Sequence, residues 1–306
     1  MHLLRIALAS LANRRFTALL TVFAIALSVC LLLAVERVRT EARASFANTI
    51  SGTDLIVGAR SGSVNLLLYS VFRIGNATNN IRWDSFEHFA NHRQVKWAIP
   101  ISLGDSHRGY RVMGTSTAYF EHYRYARSQA LQLAQGREFA DDPFEVVLGA
   151  EVAQALGYGL GEEIVLAHGG ATISLVKHDD KPFTVVGILE RTGTPVDRTL
   201  HVSLAGMEAL HIDWQNGMPA RGAAQISADQ VREWASACSQ ASRAQTGQGE
   251  SGRGSAVESS LNEHSEPAFN AAASSAVACE QALQPKQITA FMLGLNSKIA
   301  TFSLQR

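Results

Sequence analysis

The sequence predicts an α+β protein in two parts: one N-terminal transmembrane helix, then a domain of mixed strands and helices. Three observations carry this. Residues 16–35, FTALLTVFAIALSVCLLLAV, hold no charge. Beyond them, short apolar runs closed by glycine are interspersed with a few helical stretches. Strands and helices do not alternate strictly, which favours α+β over a doubly wound parallel sheet.

At about 1.5 Å per residue the apolar run spans roughly 30 Å, the thickness of bilayer hydrocarbon. Arg14 and Arg15 bound it on one side; Glu36, Arg37 and Arg39 bound it on the other. A secretory signal has a shorter apolar region, about 7–15 residues. The cleavage-like Ala42-Arg43-Ala44 is set off from the run by charges. An uncleaved anchor over 16–35 is therefore predicted. Arg5, Arg14 and Arg15 before the run nearly balance Arg37, Arg39 and Arg43 after it, so charge alone does not orient it. In residues 1–15, Leu4, Leu8 and Leu11 form a stripe ending at two arginines. That stripe suits an amphipathic helix in the cytoplasmic headgroup plane, or an extension of the anchor.

The main domain is predicted over 36–226. Asp54-Leu55-Ile56-Val57 is a strand closed by Gly58. Asp84-Ser85-Phe86-Glu87 reads as a capping box that starts a helix through about His92. Lys96 to Leu103 and Gly109 to Gly114 read as strands. Val146 to Gly149 is a strand followed by a helix from Ala150 to Leu156, which Gly157 stops. Further strands are predicted at Ile164 to Ala167, Phe183 to Leu189 and Thr199 to Ser203. Residues 227–285, rich in Ser, Ala, Gln, Glu and Gly, are too polar to offset their ordering entropy and are predicted to be a disordered insertion. Gln287 to Leu295 then returns as a strand within the final segment, 286–306.

Composition narrows the function. The formal net charge is zero, from 27 basic and 27 acidic residues, with no clustered basic face for nucleic acid. No GxxxxGK[ST] loop occurs, so ATP hydrolysis by a P-loop is not expected. Gly157-Tyr158-Gly159-Leu160-Gly161 follows a helix and precedes a strand, the reverse of a phosphate loop; it suits a helix C-cap and tight turn. Gly104-Asp105-Ser106-His107 resembles a serine-esterase motif, but adjacent residues rarely face one another as nucleophile, base and acid, so a polar turn is expected. His88 and His92 stand four apart on the predicted helix and could share a metal. No third ligand is evident, so a solvated or packed pair is favoured; His107, His122, His168 and His178 are dispersed. No cofactor is expected. Cys30 lies in the apolar run, where a thiol acts as a small apolar group. Cys238 and Cys279 could pair in an oxidising compartment, closing a loop worth on the order of 4 kcal/mol, or stay free.

Four stretches together resemble the MacB-like periplasmic core of FtsX-type permeases, a group that includes lipoprotein-releasing and macrolide-export systems. They are LANRRFTALLTVFAIALSVCLLLAV, SGTDLIVGARSG, EVVLGAEVAQALGYGLGEEIVL and FTVVGILERTGTPVDRTLHVSL. Their order and spacing carry the resemblance over residues 1–210 and, more weakly, 286–306. The matching positions include Asp54, Gly149, Gly157, Gly161, Gly187 and Asp197. The resemblance implies the N-terminal part of a non-catalytic ABC-transporter permease in a bacterial inner membrane, with its large domain in the periplasm. It also implies as partners a separate cytoplasmic ATPase, a second permease copy and a periplasmic substrate carrier. The sequence departs from that pattern in two ways. Ile288 to Leu304 is interrupted by Asn296 and Lys298, so no second span is expected before Arg306, as in a truncated permease or a fragment. The 227–285 insertion is the other departure. Two further readings stay open: a stand-alone, single-pass, membrane-anchored periplasmic binding or adaptor protein, and an anchored hydrolase using Asp105, Ser106 and His107.

Overall fold

The computed structural model describes residues 5, 13–140, 142–168, 176–214, 226–246 and 283–304. The chain divides into two compact units, Met1–Asn48 and Thr49–Arg306. One continuous helix, Arg15–Thr49, contains the apolar run. Its segment Arg15–Ala44 is long and apolar enough to cross a membrane, and none of it is buried in the protein. Two hydroxyls in the run bond back to their own helix: Thr21 Oγ1 donates to the Thr17 carbonyl and Ser28 Oγ to the Ala24 carbonyl, each at 2.9 Å. Such internal satisfaction is what hydrocarbon demands of a polar group. Apart from Arg5, Asn13, Arg14 and Arg15, the predicted amphipathic segment 1–15 lies outside the described residues.

The second unit is built on a mixed sheet. In chain order its strands, with those of two small ribbons, are β1 (Leu55–Gly58), β2 (Ile81–Arg82), β3 (Val95–His107), β4 (Tyr110–Thr115), β5 (Arg124–Tyr125), β6 (Gln129–Ala130), β7 (Leu133–Gly136) and β8 (Glu145–Leu148). They continue with β9 (Glu163–Ile164), β10 (Ala167–His168), β11 (Val176–Lys177), β12 (Phe183–Leu189), β13 (Thr199–Ser203), β14 (Gln287–Ile288) and β15 (Ala290–Leu295). The main sheet runs β1-β15-β3-β4-β13-β8-β12-β7, with β10 on β3, β11 on β10 and β9 on β12. Only β4–β13 and β8–β12 pair in parallel; every other described pairing is antiparallel, as an α+β domain implies.

Side-chain alternation along the central strands sorts the core onto two faces. Val146 and Leu148 join Leu200, Val202 and Phe183 on one face, under Val152, Met207, Leu210 and Val231 from three helices. Val147 points to the other face, with Ile99, Ile101, Met113 and Tyr119. All four residues of β8 are buried, as expected of a central strand covered on both sides. A third cluster gathers Phe86, Ile288, Phe291 and Leu293 beside β15.

The structure departs from the sequence expectations at four places, the first being that the strand expected at Ile164 to Ala167 is two short strands, β9 and β10, with different partners. The helix expected from a capping box at Asp84 begins two residues earlier, at Trp83 with Arg82 as N-cap, has no side-chain cap and ends at Ala90. Gly104 to His107 is the end of β3 rather than a polar turn. Pairing with β4 and β10 claims this segment, and the β3–β4 register shifts between Leu103 and Ser106. Residues 228–246, inside the segment expected to be disordered, form a helix. Ala228, Val231 and Ala235 bury one side of it in the core. The side chain of Cys238 and all of Cys279 lie outside the described residues, as does the rest of the insertion up to 282.

Candidate functional site

The residues that open the site are a glycine and an aspartate on neighbouring turns. β8 ends at Leu148, and Gly149 starts the helix Ala150–Leu156 with its N–H bonded to the Thr199 carbonyl at 2.9 Å. A methyl at Gly149 would collide with the Val196 carbonyl and lie 2.5 Å from the Asp197 carbonyl oxygen, so only glycine lets the two turns meet. Asp197 is buried in the second turn, the 3-10 segment Pro195–Arg198. Its carboxylate accepts from the Thr192 N–H, the Thr192 hydroxyl and the Gly193 N–H, each at 2.8 Å. Charge-assisted bonds of this kind fix a loop more firmly than neutral ones.

This turn forms one wall of an open cleft of about 640 Å³ that also takes in residues 72–75 and 109–111. Four arginines line it: Arg73, Arg111, Arg191 and Arg198. Arg198 pairs with Glu151 and lies over the Tyr110 ring, 5.3 Å from its centroid. Arg111 donates to the Gly75 carbonyl at 2.9 Å. Asp197, the other acid of the cleft, is engaged by its own loop. The balance of charge is therefore cationic, and the cleft can receive an anionic group. Arg73 also lies close to a buried aromatic stack, where His201 sits 5.3 Å from Tyr119. Burial, and then the Arg73 charge, push the His201 imidazole down to about 3. Burial pushes the Tyr119 phenol up to about 12.

The remaining motif positions act in the same structural way. Asp54 accepts from the Leu295 N–H at 2.8 Å and joins β1 to β15. Gly157 caps its helix in the left-handed region, φ 72°, and Gly161 turns at φ 82°. Gly187 lies so close to the Arg137 carbonyl that a side chain could not fit.

The candidates for chemistry are placed differently. His88 is exposed on the helix Trp83–Ala90, whereas His92 lies past its end and its Nδ1 accepts from the Gln94 N–H at 3.3 Å. His107 Nδ1 bonds the Val165 carbonyl at 2.7 Å and its Nε2 bonds the Tyr158 hydroxyl at 2.9 Å. Both ring nitrogens are thus committed away from Ser106, so residues 105–107 do not form a hydrolytic relay. Asp105 turns instead into a buried group that sequence spacing did not reveal: with His178 and His211 it places three ligand atoms within 4.8 Å of one another. Burial pushes the His178 imidazole down to about 4, against the opposing pull of Asp105.

No curated protein matches the chain. The periplasmic region of MacB from Actinobacillus actinomycetemcomitans aligns over 81% of this chain and 78% of its own, at 12% identity and a TM-score of 0.36. The extracellular domain of the noncanonic ABC-type transporter YknZ from Gram-positive bacteria aligns over 42% of this chain and 66% of its own, at 15% identity and a TM-score of 0.30. The family profile of the MacB-like periplasmic core domain matches residues 18–237. That match covers well over half of the sequence, and the chain belongs to the MacB-like periplasmic core domain family.

Proposed function

We propose that the chain is the N-terminal part of an ABC-transporter permease subunit, with residues 16–35 in a bacterial inner membrane and the sheet domain in the periplasm. The observation that carries this reading is the extent of the family match: it begins at residue 18, inside the apolar helix, and continues through the sheet domain to residue 237. Anchor and domain thus belong to one matched unit. A separate ATPase binds and hydrolyses nucleotide on the cytoplasmic side. A second permease copy completes the pair, and the helix passes movement to the outer domain, which handles substrate or a periplasmic carrier. The glycine cluster caps a helix C-terminus and turns into β9, the reverse of a phosphate loop, which supports assigning nucleotide chemistry to the separate ATPase. Co-expression with a candidate ABC ATPase subunit from the same genome tests the proposal. The two should purify together from membranes, and the ATPase rate should change when the chain is present. Separate purification with an unchanged rate would refute the reading.

A further inference from the structure

Asp105, His178 and His211 come from three elements remote in sequence. Asp105 lies where β3 changes register against β4, a bulge-like irregularity of the kind that re-aims a side chain. His178 follows β11, and its N–H is bonded to the Leu166 carbonyl at 3.0 Å. His211 caps the helix Leu204–Leu210. Its Nδ1 is 3.1 Å from the Met207 carbonyl oxygen. A carbonyl can only accept, so the proton sits on Nδ1 and the lone pair on Nε2. This is the supporting hydrogen bond that metal-binding imidazoles ordinarily carry. The Nε2 of His178 has no hydrogen-bond partner among the described residues, and His178 is only 2% exposed. The Trp214 ring packs 5.5 Å from His178 and 4.8 Å from His211, shielding the group from water.

We propose that these three side chains bind a divalent transition metal, with zinc as the fitting ion. Two imidazoles and one carboxylate are a donor set that zinc accepts, with a water or small anion in the fourth position. Zinc bonds of about 2.0–2.2 Å hold ligand atoms roughly 3 to 4 Å apart, which three atoms within 4.8 Å of one another can meet. Lys181 Nζ is held by Asp180 at 2.9 Å and Asp213 at 3.0 Å, so the ammonium near His178 already has carboxylates of its own. The site goes beyond the permease reading and does not depend on it.

The test uses the full chain in detergent, carried on a tag without histidines and stripped with chelator. Zinc uptake is measured by elemental analysis. Cobalt(II) serves as an optical probe through its visible bands and its quenching of tryptophan fluorescence, compared with a Trp214→Phe variant. Wild type should take up about one equivalent of zinc and gain thermal stability from it. His178→Gln and His211→Gln should each weaken binding by more than the roughly 10–100-fold that loss of a supporting hydrogen bond costs. His88→Ala/His92→Ala and Cys238→Ser/Cys279→Ser should leave it unchanged. Failure of folded wild type to bind zinc overturns the proposal. So does binding that survives both glutamine substitutions, or that disappears with either control pair.

Discussion

Lys181 Nζ lies 3.0 Å from Asp213 Oδ1, with the lysine side chain 1% exposed and the aspartate 3%. The pair ties the turn before β12 to the turn after the helix Leu204–Leu210. Breaking such a pair from one side leaves a buried charge without compensation. Asp213→Ala should lower stability by about 3 kcal/mol, softened by the remaining bond to Asp180. The double replacement Lys181→Met/Asp213→Leu should cost clearly less. Denaturant unfolding of the two variants checks the order; equal losses would mean that the charges matter only through their packing.

The Asp197 turn should be equally sensitive. Asp197→Ala removes three charge-assisted bonds to Thr192 and Gly193 and is expected to cost on the order of 3 kcal/mol. Gly149→Ala forces a methyl against two carbonyl oxygens of the same turn and should cost about 2 kcal/mol. Because both act on one contact, their effects should be less than additive. A double-mutant cycle measures this directly, and strict additivity would show the two turns to be independent.

His201 makes stability depend on pH. Its folded value is about 3, below the ordinary 6.5, so the unfolded chain binds the proton first. Stability at neutral pH is unaffected. It falls as pH drops below 6.5, by about 1.4 kcal/mol per unit, and the loss levels off near the folded value. His201→Phe keeps the stack on Tyr119 and removes the titration. Melts between pH 7 and pH 5 should show the variant's mean slope reduced by about 1 kcal/mol per unit, since the full value of about 1.4 is reached only well below pH 6.5; parallel slopes would place the linked proton elsewhere.

Topology is the fourth expectation. An alkaline phosphatase fused at position 120 should be active, because that reporter needs an oxidising compartment, and a cytoplasmic-type reporter fused there should be silent. The reverse pattern would put the sheet domain inside the cell.

How much of this could be read from the chain depends on how local each signal is. Phe183–Leu189 and Thr199–Ser203 appear as strands with the expected bounds, because apolar runs and the Thr192–Asp197 turn specify them within a few residues. Gly157 stops its helix in the left-handed conformation that only a residue without a side chain adopts readily. The helix at 228–246 was hidden by its polar composition. Ala228, Val231 and Ala235, three and four residues apart, were the stripe that could have shown it. Asp105, His178 and His211 could not have been grouped from spacing. Their meeting depends on the irregular β3–β4 pairing and on His168 lying opposite Asp105 across β10. Each histidine alone is indistinguishable from one packed in a core.

The pairing of β1 with β15 has a mechanical consequence. The strands are antiparallel, with Leu55 opposite Leu293, so the chain enters the sheet and leaves it at the same end of one ladder. The bond between Asp54 and the Leu295 N–H closes that end. A force drawing the entry and exit apart would therefore load one bond at a time, starting with this clasp, and peel the ladder like a zipper. A force along the strands would load the whole ladder in shear. The sheet is thus compliant in one direction and stiff in the other, and the Asp54 carboxylate, with the Asp54 N–H bonded to the Leu293 carbonyl at 3.0 Å, is what a peeling force meets first.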